Sequence, residues 1–147
     1  MRTTASAAMI FLTALAPLVA CGSEPAPRTL TGTKWQLTSI QSMADAESTA
    51  VPDPSKFTVE FGADGTASFQ LDCNRGTGSY TAEPGADGNS GTLTFGPIGV
   101  TQMFCPQPSL DQRVTSSLEH VRTYLFDGDQ LHLSKLADGG ILSWRPA

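Results

Sequence analysis

Apolar and polar residues alternate in short bursts through most of the chain. Trp35 and Leu37 alternate with polar neighbours across residues 33–40, and Phe57, Val59 and Phe61 do so across residues 56–61. Gly62-Ala63-Asp64-Gly65 supplies a turn, after which Phe69 and Leu71 resume the alternation over residues 66–71. Period two marks half-buried strands, and two such runs joined by an Asp-Gly turn predict a β-hairpin. Residues 72–78 read as a bend of types that tolerate positive φ, ahead of a short strand at residues 79–81. Thr92-Leu93-Thr94-Phe95 predicts a further strand ended by Gly96-Pro97. Leu131 with Leu133 and Leu142 with Trp144 predict a last hairpin around Asp138-Gly139-Gly140. Residues 41–55 and 84–91, rich in Ala, Ser, Asp, Glu, Gly and Pro, read as exposed loops.

One stretch changes period. Leu110, Val114, Leu118, Val121 and Leu125 recur at helical spacing. Ser109 fits an N-cap with Gln112 completing a capping box, Pro106 and Pro108 bar an earlier start, and Asp127-Gly128 supplies the stop. The expectation is an α+β domain: a mainly antiparallel curved sheet of about seven or eight short strands with one helix packed on it.

The first twenty residues change the setting. Arg2 is their only charge, residues 7–15 form an apolar run too short to span a bilayer, and Leu18-Val19-Ala20-Cys21 follows. This resembles a bacterial lipobox, which implies cleavage before Cys21, its acylation, and anchoring on the outer face of a membrane. The expected division is a signal peptide at 1–20, a lipidated linker at 21–29 containing Gly22-Ser23-Glu24-Pro25-Ala26-Pro27, and one domain at 30–146. Several acyl chains together hold a protein on a bilayer where one does not.

The chain has 9 Lys+Arg against 14 Asp+Glu; without Arg2 the mature part has 9 − 1 = 8 basic residues and a formal charge of 8 − 14 = −6. An acidic balance excludes nucleic acid as the expected partner, because a basic face is what that interaction needs. A monomer is expected.

Cys73 and Cys105 are the two cysteines beyond Cys21. In an oxidising compartment they read as one disulfide, tying the early hairpin to the segment before the helix. Their spacing does not fit the C-x-x-C pattern of redox pairs. His120 and His132 are the only histidines. They read as surface residues, too few to make a metal set with the ligands available, and no G-x-S-x-G turn points to a hydrolase. Asp64, Asp87, Asp127, Asp129 and Asp138 stand in glycine-containing turns and read as turn formers. No cofactor and no catalytic residue are expected.

The order and spacing of several motifs resemble the META domain family, which includes the heat-inducible HslJ-type envelope proteins of bacteria. They are Thr33-x-Trp35-x-Leu37, Phe57-x-Val59-x-Phe61 before Asp64-Gly65, Cys73-Asn74 with Gly78-x-Tyr80, Thr101-x-Met103-x-Cys105, and Leu131-x-Leu133 with Leu142 and Trp144. Asp72 and Gln102 depart from the glycine and the basic residue that family members often carry there. The resemblance implies a small β domain with a helix and an association with envelope stress and antibiotic resistance. It brings no active site. The expected function is therefore a non-enzymatic, membrane-anchored envelope lipoprotein that supports stress or antibiotic tolerance by contacting another envelope protein. The alternative is an inhibitor of a secreted enzyme, a lysozyme or a protease, or a ligand-binding lipoprotein. Asn74, Arg75 and Gln107, in the loops flanking the expected disulfide, are the candidate partner-contact residues.

Overall fold

A computed structural model describes residues 28–44 and 47–147. Ten strands and one helix follow one another: β1 Lys34–Gln41, β2 Ser48–Ala50, β3 Phe57–Phe61, β4 Thr66–Leu71, β5 Asn74–Pro84, β6 Ser90–Phe95, β7 Gly99–Val100, α1 Asp111–Leu118, β8 Val121–Asp127, β9 Gln130–Lys135 and β10 Ile141–Pro146. Eight of them pair antiparallel in the order β1-β3-β4-β5-β6-β8-β9-β10, and β10 returns to β1 with Leu37 opposite Trp144 and Ile40 opposite Leu142. The sheet is therefore a closed barrel. This corrects the expected open, curved sheet with a helix on its face: alternation identifies which side chains turn inward, whereas closure depends on a pairing between the two ends of the domain. Closure removes the two edges that the eight strands would otherwise leave exposed, while the short strands β2 and β7 lie outside the closed path.

An eight-stranded barrel has an interior just wide enough for side chains to fill, and large ones fill it here. Trp144, Phe61, Leu37, Ile40, Leu71, Leu93, Leu131, Leu133, Leu142 and Val59 are fully buried. Phe61 stacks on Phe95 at 6.1 Å between ring centroids and meets the Tyr80 ring edge-on at 5.0 Å.

α1 is much shorter than its apolar stripe. It ends at Leu118, and Val121 and Leu125 belong to strand β8, where Val121 is buried and Leu125 faces out. The run Val121-Arg122-Thr123-Tyr124-Leu125-Phe126 is β-branched and aromatic, and a bulge between Val121 and Thr123 lets Val121, Tyr124 and Phe126 all face the core. The expected capping box is absent too. Leu110 is the N-cap, while Ser109 Oγ accepts from the Asp111 N–H at 3.2 Å and donates to the Asp72 carboxylate at 2.7 Å. Val114 and Leu118 are fully buried in the barrel core. The helix starts beside the β4–β5 turn, and the chain just after it accepts a hydrogen bond from Leu136, at the end of β9. It thus lies across one end of the barrel.

Two further corrections concern loops. Residues 41–55 hold β2 and lead to a 3-10 turn at Pro54–Lys56, and Val51 is buried with its N–H on the Thr38 carbonyl at 2.9 Å. Residues 74–78 are the start of β5, paired with β4 from Leu71 opposite Asn74 onward, so the bend is confined to Asp72 and Cys73.

At the other end, Arg28 bolts the chain to two hairpins. Its N–H donates to the Gly88 carbonyl, its guanidinium donates to the Gly128 carbonyl, and it sits 5.8 Å over the Phe126 ring. The expected signal peptide at 1–20, the anchor at Cys21 and residues 21–27 of the expected 21–29 linker lie outside the described residues.

Candidate functional site

The conspicuous polar group in the interior is Asn74, 3% exposed at the first position of β5. Because strand side chains alternate, Asn74 turns inward and Arg75 outward. The Asn74 side-chain oxygen accepts from the Met103 N–H at 2.8 Å and from Thr101 Oγ at 2.9 Å. Its amide nitrogen donates to the Met103 carbonyl at 3.0 Å and lies 3.4 Å from Cys105 Sγ and 3.3 Å from the Asp111 carboxylate. One buried amide thereby imitates a neighbouring strand and fixes the backbone of residues 101–103.

Two other ties act on the same loop. The Thr101 N–H donates to the Arg75 carbonyl at 3.0 Å, carrying the β5–β7 pairing one residue further. The Cys73–Cys105 disulfide, with an S–S distance of 2.05 Å, joins the β4–β5 turn to the far side of the loop. On this clamped backbone Met103 is 62% exposed and Phe104 is 88% exposed. Large apolar side chains held out on a fixed loop mark a contact surface more than isolated ones do.

A groove of about 530 Å³ runs beside it, lined on one side by Val100, Gln102, Met103 and Phe104 and on the other by Asp111, Gln112, Ser116 and Glu119 of α1 and the residue that follows it. On the neighbouring part of the wall β6 pairs with β8 from Ser90 to Thr92. Further along, β7 pairs with β5 at Gly76 and Thr77, and α1 supplies the facing wall of the groove.

The structure separates the three partner-contact candidates. Asn74 organises the loop from within. Arg75 is exposed on the outer wall, beside Lys34, Glu60 and Gln70. Gln107 uses its amide inside the loop, donating to the Cys105 carbonyl at 3.2 Å and accepting from the Ser109 N–H at 3.2 Å. Met103 and Phe104 are the exposed residues that sequence reasoning passed over. The signal was present: two apolar residues stand beside a cysteine in a segment with no period.

The histidines lie apart, His120 Nδ1 2.7 Å from the Ser116 carbonyl and His132 Nδ1 3.0 Å from Ser143 Oγ. No group of three or more His, Cys, Asp or Glu among the described residues is placed to hold a metal ion. Asp87 is a turn former as expected: hydrogen bonds from Ser90, backbone first and hydroxyl next, and from the Asn89 N–H hold its carboxyl below the usual range. Among the described residues no helix is long and apolar enough to cross a membrane.

Comparison with solved structures supports the fold. The chain is similar to a DUF4847 family protein from Bacteroides vulgatus, with a TM-score of 0.52 and 14% identity over 78% of this chain and 92% of that one. A structure determined by NMR is similar at a TM-score of 0.52 and 21% identity, over 78% and 89% of the two chains. No curated protein matches the sequence significantly. The META domain model matches residues 28–146, a span that begins at the Arg28 bolt and closes with the β10 strand that completes the barrel. The chain belongs to the META domain family.

Proposed function

We propose that this META domain protein is a membrane-anchored envelope lipoprotein that works by contact and not by catalysis, supporting envelope stress or antibiotic tolerance. The observation that carries the reading is Phe104, 88% exposed on a loop held by a buried amide and a disulfide. Preorganised apolar side chains lose little freedom on binding, which is how a small surface gains affinity. The acylated Cys21 would place the domain at the envelope, and the acidic surface would keep it off anionic headgroups.

The test has two readings. Radiolabelled palmitate should enter the wild-type protein and not the Cys21→Ser variant, and loss of label should move the protein from the membrane to the soluble fraction. A deletion strain challenged with heat and with cell-wall antibiotics should be rescued by the wild type. Rescue should fail with Cys21→Ser at equal protein level. Full rescue by an unlabelled variant would remove the anchor from the function. The same clamped loop favours one second reading, inhibition of a secreted enzyme. Lysozyme or protease activity unchanged by a large molar excess of the protein would dispose of it.

A further inference from the structure

The groove beside the clamped loop is flanked by a strand with one open edge. Among the described residues β7 pairs with β5 and with no other strand. Thr101 turns its N–H to the Arg75 carbonyl and Met103 turns its N–H to Asn74, so the backbone groups of Val100 and Gln102, half a period out, face the groove. The Val100 carbonyl accepts from the Gln102 side chain at 3.3 Å, a local contact that an incoming N–H would displace.

The charged side chains that line the groove are both acidic. Asp111 and Glu119 line the groove, and no lysine or arginine does. Arg122, next to Glu119 in space, gives its guanidinium to the backbone carbonyls of Glu119 and Val121. Neither acid forms an ion pair among the described residues. The apolar lip is Met103 and Phe104.

Charge and backbone then decide between a bilayer and a protein as the occupant. Arg28 is bound to Gly88 in the β5–β6 turn, whereas Met103 is bound to Asn74 at the opposite end of β5. β5 is eleven residues long, about 33 Å along the strand at the usual rise, so the groove and the Arg28 contact lie at different ends of the barrel. The acidic lining of the groove opposes an anionic bilayer surface, and an open strand edge offers main-chain hydrogen bonds that a protein segment can take and a lipid tail cannot.

We propose that the groove receives an extended segment of a partner protein, added as a strand along residues 99–103. That segment carries a lysine or arginine that meets Asp111 and Glu119 and an apolar residue that packs on Met103 and Phe104. Strand addition takes its affinity from main-chain hydrogen bonds and its specificity from alternate side chains. The inference rests on the contact reading above and names the surface and the chemistry of the partner.

The test is selection from a random decapeptide phage library on the full-length chain in non-ionic detergent, with the Phe104→Ser variant as the counter-selection. The expected result is a family of sequences with a basic residue within two positions of an aliphatic or aromatic one. A synthetic peptide from that family should bind at least about tenfold more weakly to Phe104→Ser and to Glu119→Gln. N-methylation at alternate backbone positions should abolish its binding. Thermal melting of both variants, whose altered side chains face solvent, should match the wild type. Absence of any sequence that distinguishes wild type from Phe104→Ser overturns the proposal, as does an acidic consensus or indifference to N-methylation. Phe104-dependent pelleting of Cys21→Ser with phosphatidylcholine or phosphatidylglycerol vesicles would make lipid the occupant and overturn it as well. Palmitate labelling is read separately, so loss of the groove and loss of the anchor give different results.

Discussion

Replacing Asn74 with alanine removes the group on which the loop of residues 101–105 hangs. Three of its hydrogen bonds are well formed, to the Met103 N–H at 2.8 Å, the Met103 carbonyl at 3.0 Å and Thr101 Oγ at 2.9 Å. Each contributes about 1 kcal/mol net, and water can reach part of the vacated loop, so the expected loss is about 2–3 kcal/mol. The disulfide still tethers Cys105, so the loop should loosen more than the barrel does. Two assays read this. Urea unfolding followed by the buried Trp35 and Trp144 gives the global loss, and chymotrypsin cleavage after the exposed Phe104 gives the local one. The expected outcome is a lower midpoint with an unchanged slope and faster nicking at Phe104 under native conditions. A loss below about 0.5 kcal/mol, or nicking no faster than in the wild type, would refute the clamp.

Asn74→Asp sharpens the point at nearly constant shape. The carboxylate can still accept from Thr101 and Met103, but its second oxygen faces the Met103 carbonyl and the Asp111 carboxylate where the amide donated. Burial and a like charge raise a carboxyl pKa in the fold. A raised folded pKa favours the protonated fold below the unfolded value, near 4, and that advantage disappears as pH rises through the folded one. The deficit against wild type should thus be smallest in acid and grow towards neutrality, by at most about 1.4 kcal/mol per pH unit. A pH-independent deficit would mean that the loop had already released the side chain.

Three further outcomes follow from the barrel and its staple. Replacing Cys73 and Cys105 by serine opens a loop with a sequence separation of 32 and should cost about 3–4 kcal/mol in urea unfolding, as reduction of the wild type should. Leu118→Ala empties a fully buried position where α1 closes the barrel, and about 3–5 kcal/mol should be lost; a loss near 1 kcal/mol would mean that the helix is a surface attachment. Gly140→Ala places a Cβ 1.9 Å from the Gln41 carbonyl oxygen at a φ of +113°, so it should cost at least about 3 kcal/mol or prevent folding, read by circular dichroism and melting.

Strand positions were legible because they depend on local alternation. Trp35, Leu37, Val59, Phe61, Phe69, Leu71, Leu131, Leu133, Leu142 and Trp144 all turn into the core that their spacing predicts. Barrel closure was not legible. It rests on residues 35–41 meeting residues 141–146, about a hundred positions apart, and no local pattern names a strand's neighbour. The helix overran for a related reason: Val121 and Leu125 prolong a helical stripe on paper, but their segment pairs with both β6 and β9, and that pairing outweighs spacing. Val51 shows the same limit on a smaller scale, buried from a stretch whose composition reads as loop. Asn74 had a sequence signal that was misassigned. Reading residues 74–78 as a bend hid the fact that a strand starting at Asn74 puts a polar amide at an inward position.

That amide separates what the fold needs from what the loop presents. Closure of the barrel needs Leu71, Leu93 and Leu118 inside, and these are fully buried. It does not need Phe104, which leaves nearly all its surface in water while its backbone neighbours are fixed by Asn74, by the ladder bond from Thr101 to Arg75 and by Cys105. An exposed phenylalanine adds nothing to folding, since its hydrophobic contribution comes only with removal from water. Order around a residue that folding does not use points to something that completes its burial. The Met103–Phe104 lip, the unpaired edge of residues 99–103 and the carboxylates of Asp111 and Glu119 all open on one groove. A strand carrying a basic and an apolar side chain satisfies the three together.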